Sequence, residues 1–88
     1  MNQVLVLSYL KDKGYKITNA RRSIIGIFSI ADKPLSAREL HKELEKLDIS
    51  VNKTTVYREI VFLLKTGYLN EINLKPGEIS YEPKDLIH

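Results

Sequence analysis

Eighty-eight residues, 43% hydrophobic and 28% charged, have the composition of an ordinary globular domain and leave room for one core rather than two. The absence of cysteine removes disulfides, thiolate zinc sites and cysteine nucleophiles, and it suits a reducing, cytoplasmic setting. The apolar run Val4-Leu5-Val6-Leu7 is far shorter than the roughly 20 residues a bilayer span needs, and it lacks the basic flank and cleavage site of a secretory signal.

Net charge is only +3, yet between Lys11 and Arg22 five basic residues face Asp12 alone, a local +4. Residues 51–88 carry five charges of each sign. Clustered positive charge is the footprint of a phosphate-binding surface; a solvated helix end is the plainer reading of the same residues.

The first segment, Asn2 to Lys13, reads as a helix closed by Gly14, although its VLVL start would also suit a strand. Val4, Leu7 and Leu10 fall on one face with Val6 beside them, while Leu5 and Tyr9 lie elsewhere, so the helix is apolar around much of its circumference. Thr18 is a plausible N-cap for a second helix, Asn19 to Ala31, whose inner stripe is Ile24, Ile25, Ile27 and Phe28. Asp32-Lys33-Pro34 ends it, because the residue before proline is pushed out of the helical region.

Ser36-Ala37-Arg38-Glu39 is a capping box, in which serine caps the third helical position and glutamate reaches back. The third helix then runs to about Leu47, with Leu40, Leu44 and Leu47 inward. After a short turn, Asn52 caps a fourth helix through about Thr66, with Val56, Ile60, Leu63 and Leu64 as its core face and Gly67 as its stop. Beyond Gly67 the period changes to two: Tyr68 to Leu74 and Ile79 to Glu82 flank a Lys75-Pro76-Gly77-Glu78 turn, which predicts a β-hairpin. The expected architecture is α+β and mostly helical: a winged helix-turn-helix over residues 1–88 with an extra leading helix, a three-helix core and a two-stranded wing.

On the fourth helix, Thr54, Arg58 and Lys65 point roughly opposite the core stripe, with Tyr57 and Val61 on the flank. That is the face a recognition helix turns toward the major groove, where arginine can donate bidentately to guanine and threonine or tyrosine can meet thymine methyls or phosphates. Asn52, Lys53 and Thr55 sit in the first turn, where free backbone N–H groups favour a phosphate. The plainer alternatives are that Tyr57 packs under the wing and Arg58 pairs with a nearby glutamate.

Four stretches resemble the ferric-uptake-regulator (Fur) family. Tyr15-Lys16-Ile17-Thr18-Asn19-Ala20-Arg21 resembles its G-L-K-x-T-P-Q-R opening, with Asn19 and Ala20 in place of Pro-Gln. Leu35-Ser36-Ala37-Arg38-Glu39-Leu40 is similar to L-S-A-E-E-L, and Val51 to Arg58 is similar to I-S-x-A-T-V-Y-R. Lys65-Thr66-Gly67-Tyr68-Leu69 is similar to the A-G-L-V step into the wing. The resemblance spans roughly residues 8–83 and implies a transcriptional repressor domain that binds double-stranded DNA. It further implies that Tyr57 and Arg58 touch bases or phosphates in the major groove, that Lys16 approaches the backbone or a neighbouring minor groove, and that Arg21 binds phosphate. Taken with the reading of the residues themselves, the expected set is base contacts from Tyr57, Arg58 and Thr54, and backbone contacts from Lys16, Arg21, Arg22, Asn52, Lys53 and Thr55.

The departures concern metal. Family members continue into a domain that dimerises them and carries histidine and cysteine ligands; this sequence has no cysteine and ends at His88. Glu82 matches the family's hinge glutamate ligand, but Pro34 stands where a histidine can join it, and His41 occupies a position that is often tyrosine. One glutamate and a terminal histidine fall short of the three or four donors a site requires, so no metal or other cofactor is expected in the chain. No glycine-rich phosphate loop or paired-histidine motif points to an enzyme. The remaining alternatives are a winged-helix module for protein–protein contact and a weak homodimer through the first helix.

Overall fold

A computed structural model describes residues 3–84. Among them, four helices and three strands follow in the order α1 (Gln3–Asp12), α2 (Asn19–Ile30), β1 (Leu35–Ser36), α3 (Ala37–Lys46), α4 (Lys53–Lys65), β2 (Leu69–Lys75) and β3 (Glu78–Pro83). The strands form one antiparallel sheet in the order β1-β3-β2. This is the α+β, largely helical winged-helix arrangement expected from the sequence. Asn2, the expected first residue of α1, and His88 lie outside the described residues.

Helices α2, α3 and α4 each start where a side chain can take up a free backbone N–H. Thr18 accepts from Arg21 N at 3.1 Å, Ser36 from Glu39 N at 3.1 Å, and Asn52 from Thr55 N at 2.8 Å. The box at Ser36 is complete, since Ser36 N donates to Glu39 Oε1 at 2.9 Å. Between α3 and α4 the chain turns through Asp48 at a φ of 59°, a left-handed conformation that aspartate tolerates better than branched residues. The His41 Nε2 lies 2.9 Å from the Val51 carbonyl and ties α3 to the end of that turn. At the wing tip Gly77 has a φ of 78°, as a type II turn requires at its third position.

The core lies where α2, α3 and α4 converge on the sheet. Ile24, Ile25, Phe28, Leu40, Leu44, Val56, Ile60 and Leu63 are almost wholly inaccessible. Each such side chain contributes on the order of 1.5–3 kcal/mol of hydrophobic stabilisation. Leu69 and Tyr81 close the core from the sheet, and Tyr68 reaches back so that its hydroxyl donates to the Ile25 carbonyl at 3.4 Å. Burial pushes the Tyr68 phenol up to about 12.

Three expectations need revision. A strand at Leu35–Ser36 precedes α3, pairing with Tyr81 and Ser80 of β3, so the sheet has three strands instead of a bare hairpin. Two residues are too few for a periodic signal; the strand exists because β3 lies alongside. Leu47, expected inward, is 58% exposed, because it is the C-cap where the chain leaves the helical path. On α1 the buried pair is Val6 and Leu10, while Val4 is 70% exposed. The seat of α1 on α2 fixes this choice: an added Cβ on Gly26 would come within 3.3 Å of the Gln3 side chain.

The capping box supplies a test of how α3 is held. The Ser36 backbone N–H, and secondarily its hydroxyl and the charge of Lys33 at 3.5 Å, hold the Glu39 carboxyl below its ordinary value against the opposing effect of burial. A depressed folded-state value means that the charge stabilises the fold above the ordinary glutamate range, about 4.3, and that this share is lost as pH falls through the folded value. Glu39→Gln is therefore expected to be less stable than wild type at neutral pH, with the difference shrinking in acid. Ser36→Ala should cost about 1 kcal/mol at neutral pH. Urea denaturation at several pH values checks both, and a constant gap between wild type and Glu39→Gln would contradict the charge argument.

Candidate nucleic-acid interface

Helix α4 spends one side on the core and shows the other to solvent. Val56, Ile60 and Leu63 are buried, and Lys53, Thr54, Tyr57, Arg58, Val61 and Lys65 are exposed. A helical repeat of 3.6 residues places Thr54, Arg58 and Lys65 opposite the core stripe directly; for Tyr57 and Val61, on the flank, the spacing alone does not decide exposure. Thr55 is half-buried, and its backbone N–H is taken by the Asn52 side chain. Asn52 itself is exposed, with its amide engaged in the cap.

Arg58 is exposed and forms no hydrogen bond or ion pair among the described residues, so the expectation of a local glutamate partner is not met there. The neighbouring Glu59 is turned to another side of the helix and is held by Arg21. Tyr57 is 56% exposed and so is not covered by the wing. On β3, burial raises the Tyr81 phenol, and the charges of Glu71 and of the Tyr57 phenolate add to the effect. Together with Ala37, Arg38, His41, Lys53 and Val56, Tyr57 lines a shallow depression of about 160 Å³ between α3 and α4.

The basic segment divides in the same way. Lys16 and Arg22 are exposed. Arg21, expected on the phosphate backbone, is instead directed inward, with only 15% of its side chain accessible. Its Nε donates to Glu59 Oε1 at 2.7 Å and its Nη2 to Glu59 Oε2 at 3.2 Å, a two-pronged ion pair from α2 to α4. Its Nη1 donates to the Lys16 carbonyl at 2.8 Å, and the guanidinium carbon lies 3.7 Å from the centre of the Phe62 ring. The opposite charge on Glu59, 38 residues away, draws Arg21 from solvent, and local charge counting cannot register such a partner. Tyr15 meets Phe62 edge to face, with centroids 4.9 Å apart.

The positions associated with metal in the resemblance do not converge. Glu82 is half-buried on β3 opposite Asn70, Pro34 offers no side-chain donor, and one ring nitrogen of His41 is engaged with Val51. Among the described residues no three histidine, cysteine, aspartate or glutamate side chains come together, so these residues do not fit a metal centre by themselves. No helix among the described residues is long and apolar enough to cross a membrane.

The sequence and the fold have counterparts in known proteins. The ferric uptake regulation protein of Synechocystis is 35% identical over 75 residues, covering 83% of this chain and 46% of that protein. The Vibrio cholerae ferric uptake regulator, whose structure is described as revealing a rearrangement of its DNA-binding domains, superposes with a TM-score of 0.81 at 28% identity. That match covers 92% of this chain and 63% of the other. PerR from Streptococcus pyogenes, 22% identical, shares the fold with a TM-score of 0.85 over 94% of this chain and 58% of its own. The chain thus spans about half the length of the relatives it matches. The model of the ferric uptake regulator family matches residues 12–88, and with Thr55-Val56-Tyr57-Arg58 in the first two turns of a capped helix that exposes Tyr57 and Arg58, the chain belongs to that family.

Proposed function

We propose that this chain binds double-stranded DNA sequence-specifically as the DNA-reading part of a Fur-like transcriptional regulator, acting as a repressor, and that it is not an enzyme. Helix α4 enters the major groove, with Tyr57, Arg58 and Thr54 directed at base edges. Lys16, Arg22, Asn52, Lys53 and Thr55 face the phosphates, with the β2–β3 wing alongside. The observation that carries this reading is the state of Arg58: an exposed guanidinium with no partner among the described residues, on the side of a helix opposite its buried stripe. An arginine of that kind presents a fork of donors free to match the O6 and N7 of guanine.

The exposed cations Lys16, Arg22 and Lys53 suit phosphates, because none of them is drawn into an ion pair among the described residues. Asn52 and Thr55 suit the same role through the first turn of α4, where the helix N-terminus favours an anion. Arg21 is left out of the contact set because its side chain is only 15% accessible and three of its five N–H donors are engaged within the chain.

Binding of the chain to duplex DNA is expected to weaken steeply with salt, with a log–log slope of roughly −0.9 for each neutralised phosphate. Fluorescence anisotropy across a salt series measures it; absence of binding at low salt would favour a protein-contact module instead. A selection from a random duplex library should return a defined motif. Against that motif, Arg58→Ala should cost about 1–3 kcal/mol and relax preference at one position, whereas Lys16→Ala should weaken all sequences alike. Equal, sequence-independent losses from both variants would contradict the assigned roles.

A further inference from the structure

The segment that carries Lys16 is fastened to α4 at two points, both of which run through half-buried residues. The first is Arg21, whose three nitrogen donors are divided between the Glu59 carboxylate and the Lys16 carbonyl. The second is Phe62, which receives the Arg21 guanidinium on its face and the Tyr15 ring edge-on. Thr18, at the other end of the segment, accepts from the backbone N–H of Arg21 itself. The backbone of Lys16 is thus held by one side chain whose other end grips the residue next to Arg58, while the Lys16 side chain is exposed.

We propose that Arg21 is a positioning residue for DNA binding: it locks the Lys16 segment to the recognition helix through Glu59, so that the Lys16 and Arg58 contacts form at one fixed spacing. The proposal rests on the DNA-binding reading of the preceding section. Its physical basis is that a free Lys16 loop would have to be ordered on binding, at the expense of affinity, whereas a clamped one is ordered beforehand. The guanidinium suits the task because its planar fork presents several donors in one rigid geometry, which an ammonium cannot do. A direct phosphate contact by Arg21 would have to use the Nη N–H groups left over from the bonds to Glu59 and Lys16, on a side chain only 15% accessible.

The two roles predict opposite outcomes in the full chain, measured by anisotropy on the duplex recovered by selection. If Arg21 positions Lys16, Arg21→Ala and Lys16→Ala each weaken binding about tenfold, and the double variant is no weaker than either. The salt slope then falls by roughly 0.9 in all three, the share of one phosphate. Glu59→Ala weakens binding although it removes a negative charge, and Arg21→Lys fails to restore affinity although it keeps the positive one. The proposal is overturned if the double variant loses roughly 1.8 in slope, if Glu59→Ala tightens binding, or if Arg21→Lys binds like wild type.

Thermal midpoints and far-ultraviolet circular dichroism verify that each variant is folded. Should Arg21→Ala fail to fold, Glu59→Ala and Arg21→Lys carry the decision. Amide exchange at Tyr15 to Ile17 reads the clamp without DNA and should accelerate in Glu59→Ala; unchanged exchange there also overturns the proposal. A wild-type chain that ignores duplex DNA sinks the DNA-binding reading and the proposal with it. That outcome is distinct from failure of the proposal alone, in which wild type binds and Glu59→Ala binds as well or better.

Discussion

Ser36 serves two neighbours at once. Its backbone belongs to β1, in register with Ser80 of β3, while its hydroxyl caps α3 and its N–H engages Glu39. It is 4% exposed, so these polar groups would be costly to leave without partners. The consequence is geometrical. The edge of the sheet and the start of α3 cannot move independently, α3 leads through a short turn into α4, and β3 pairs on its other side with β2. The angle between the wing and the outward face of α4 is therefore set at a buried residue remote from that face.

What was legible beforehand is what local chemistry determines. Thr18, Ser36 and Asn52 each bond within three residues of themselves, and the buried stripe of α4 follows from a fixed helical period, so caps and faces were readable in order along the chain. The exposed positions of Thr54 and Arg58 followed for the same reason, whereas Tyr57, on the flank of the stripe, could equally have packed under the wing. Strand β1, by contrast, exists only because a segment over forty residues later lies beside it. Arg21 looked like one more surface cation, and nothing near it in sequence marked Glu59 as its partner. The Fur-like motifs named the positions but left that pairing unseen.

Electrostatics along α4 change character from one residue to the next. Arg58 and Glu59 differ by about 100° around the helix axis, enough to leave one charge in solvent and the other in a half-buried ion pair. A half-buried pair of this kind gives little net stabilisation when formed, yet removal of one partner strands the other. Its main effect is to fix geometry: Glu59 gains a single permitted partner and Arg58 is left without competition from the adjacent carboxylate.

The link between Arg21 and Glu59 also determines which parts of the chain can be exchanged. Recognition helices are natural units to graft when a new binding preference is sought, since the outward residues of α4 are separable from its core stripe. Here the graft has a hidden passenger. A helix brought in without an acid at position 59 would leave the Arg21 guanidinium half-buried beside Phe62 with its strongest partner gone, and the turn that carries Lys16 would lose one of its two anchors. The smallest transplantable unit is therefore α4 together with the segment from Tyr15 to Arg21, two stretches far apart in the chain that behave as one part.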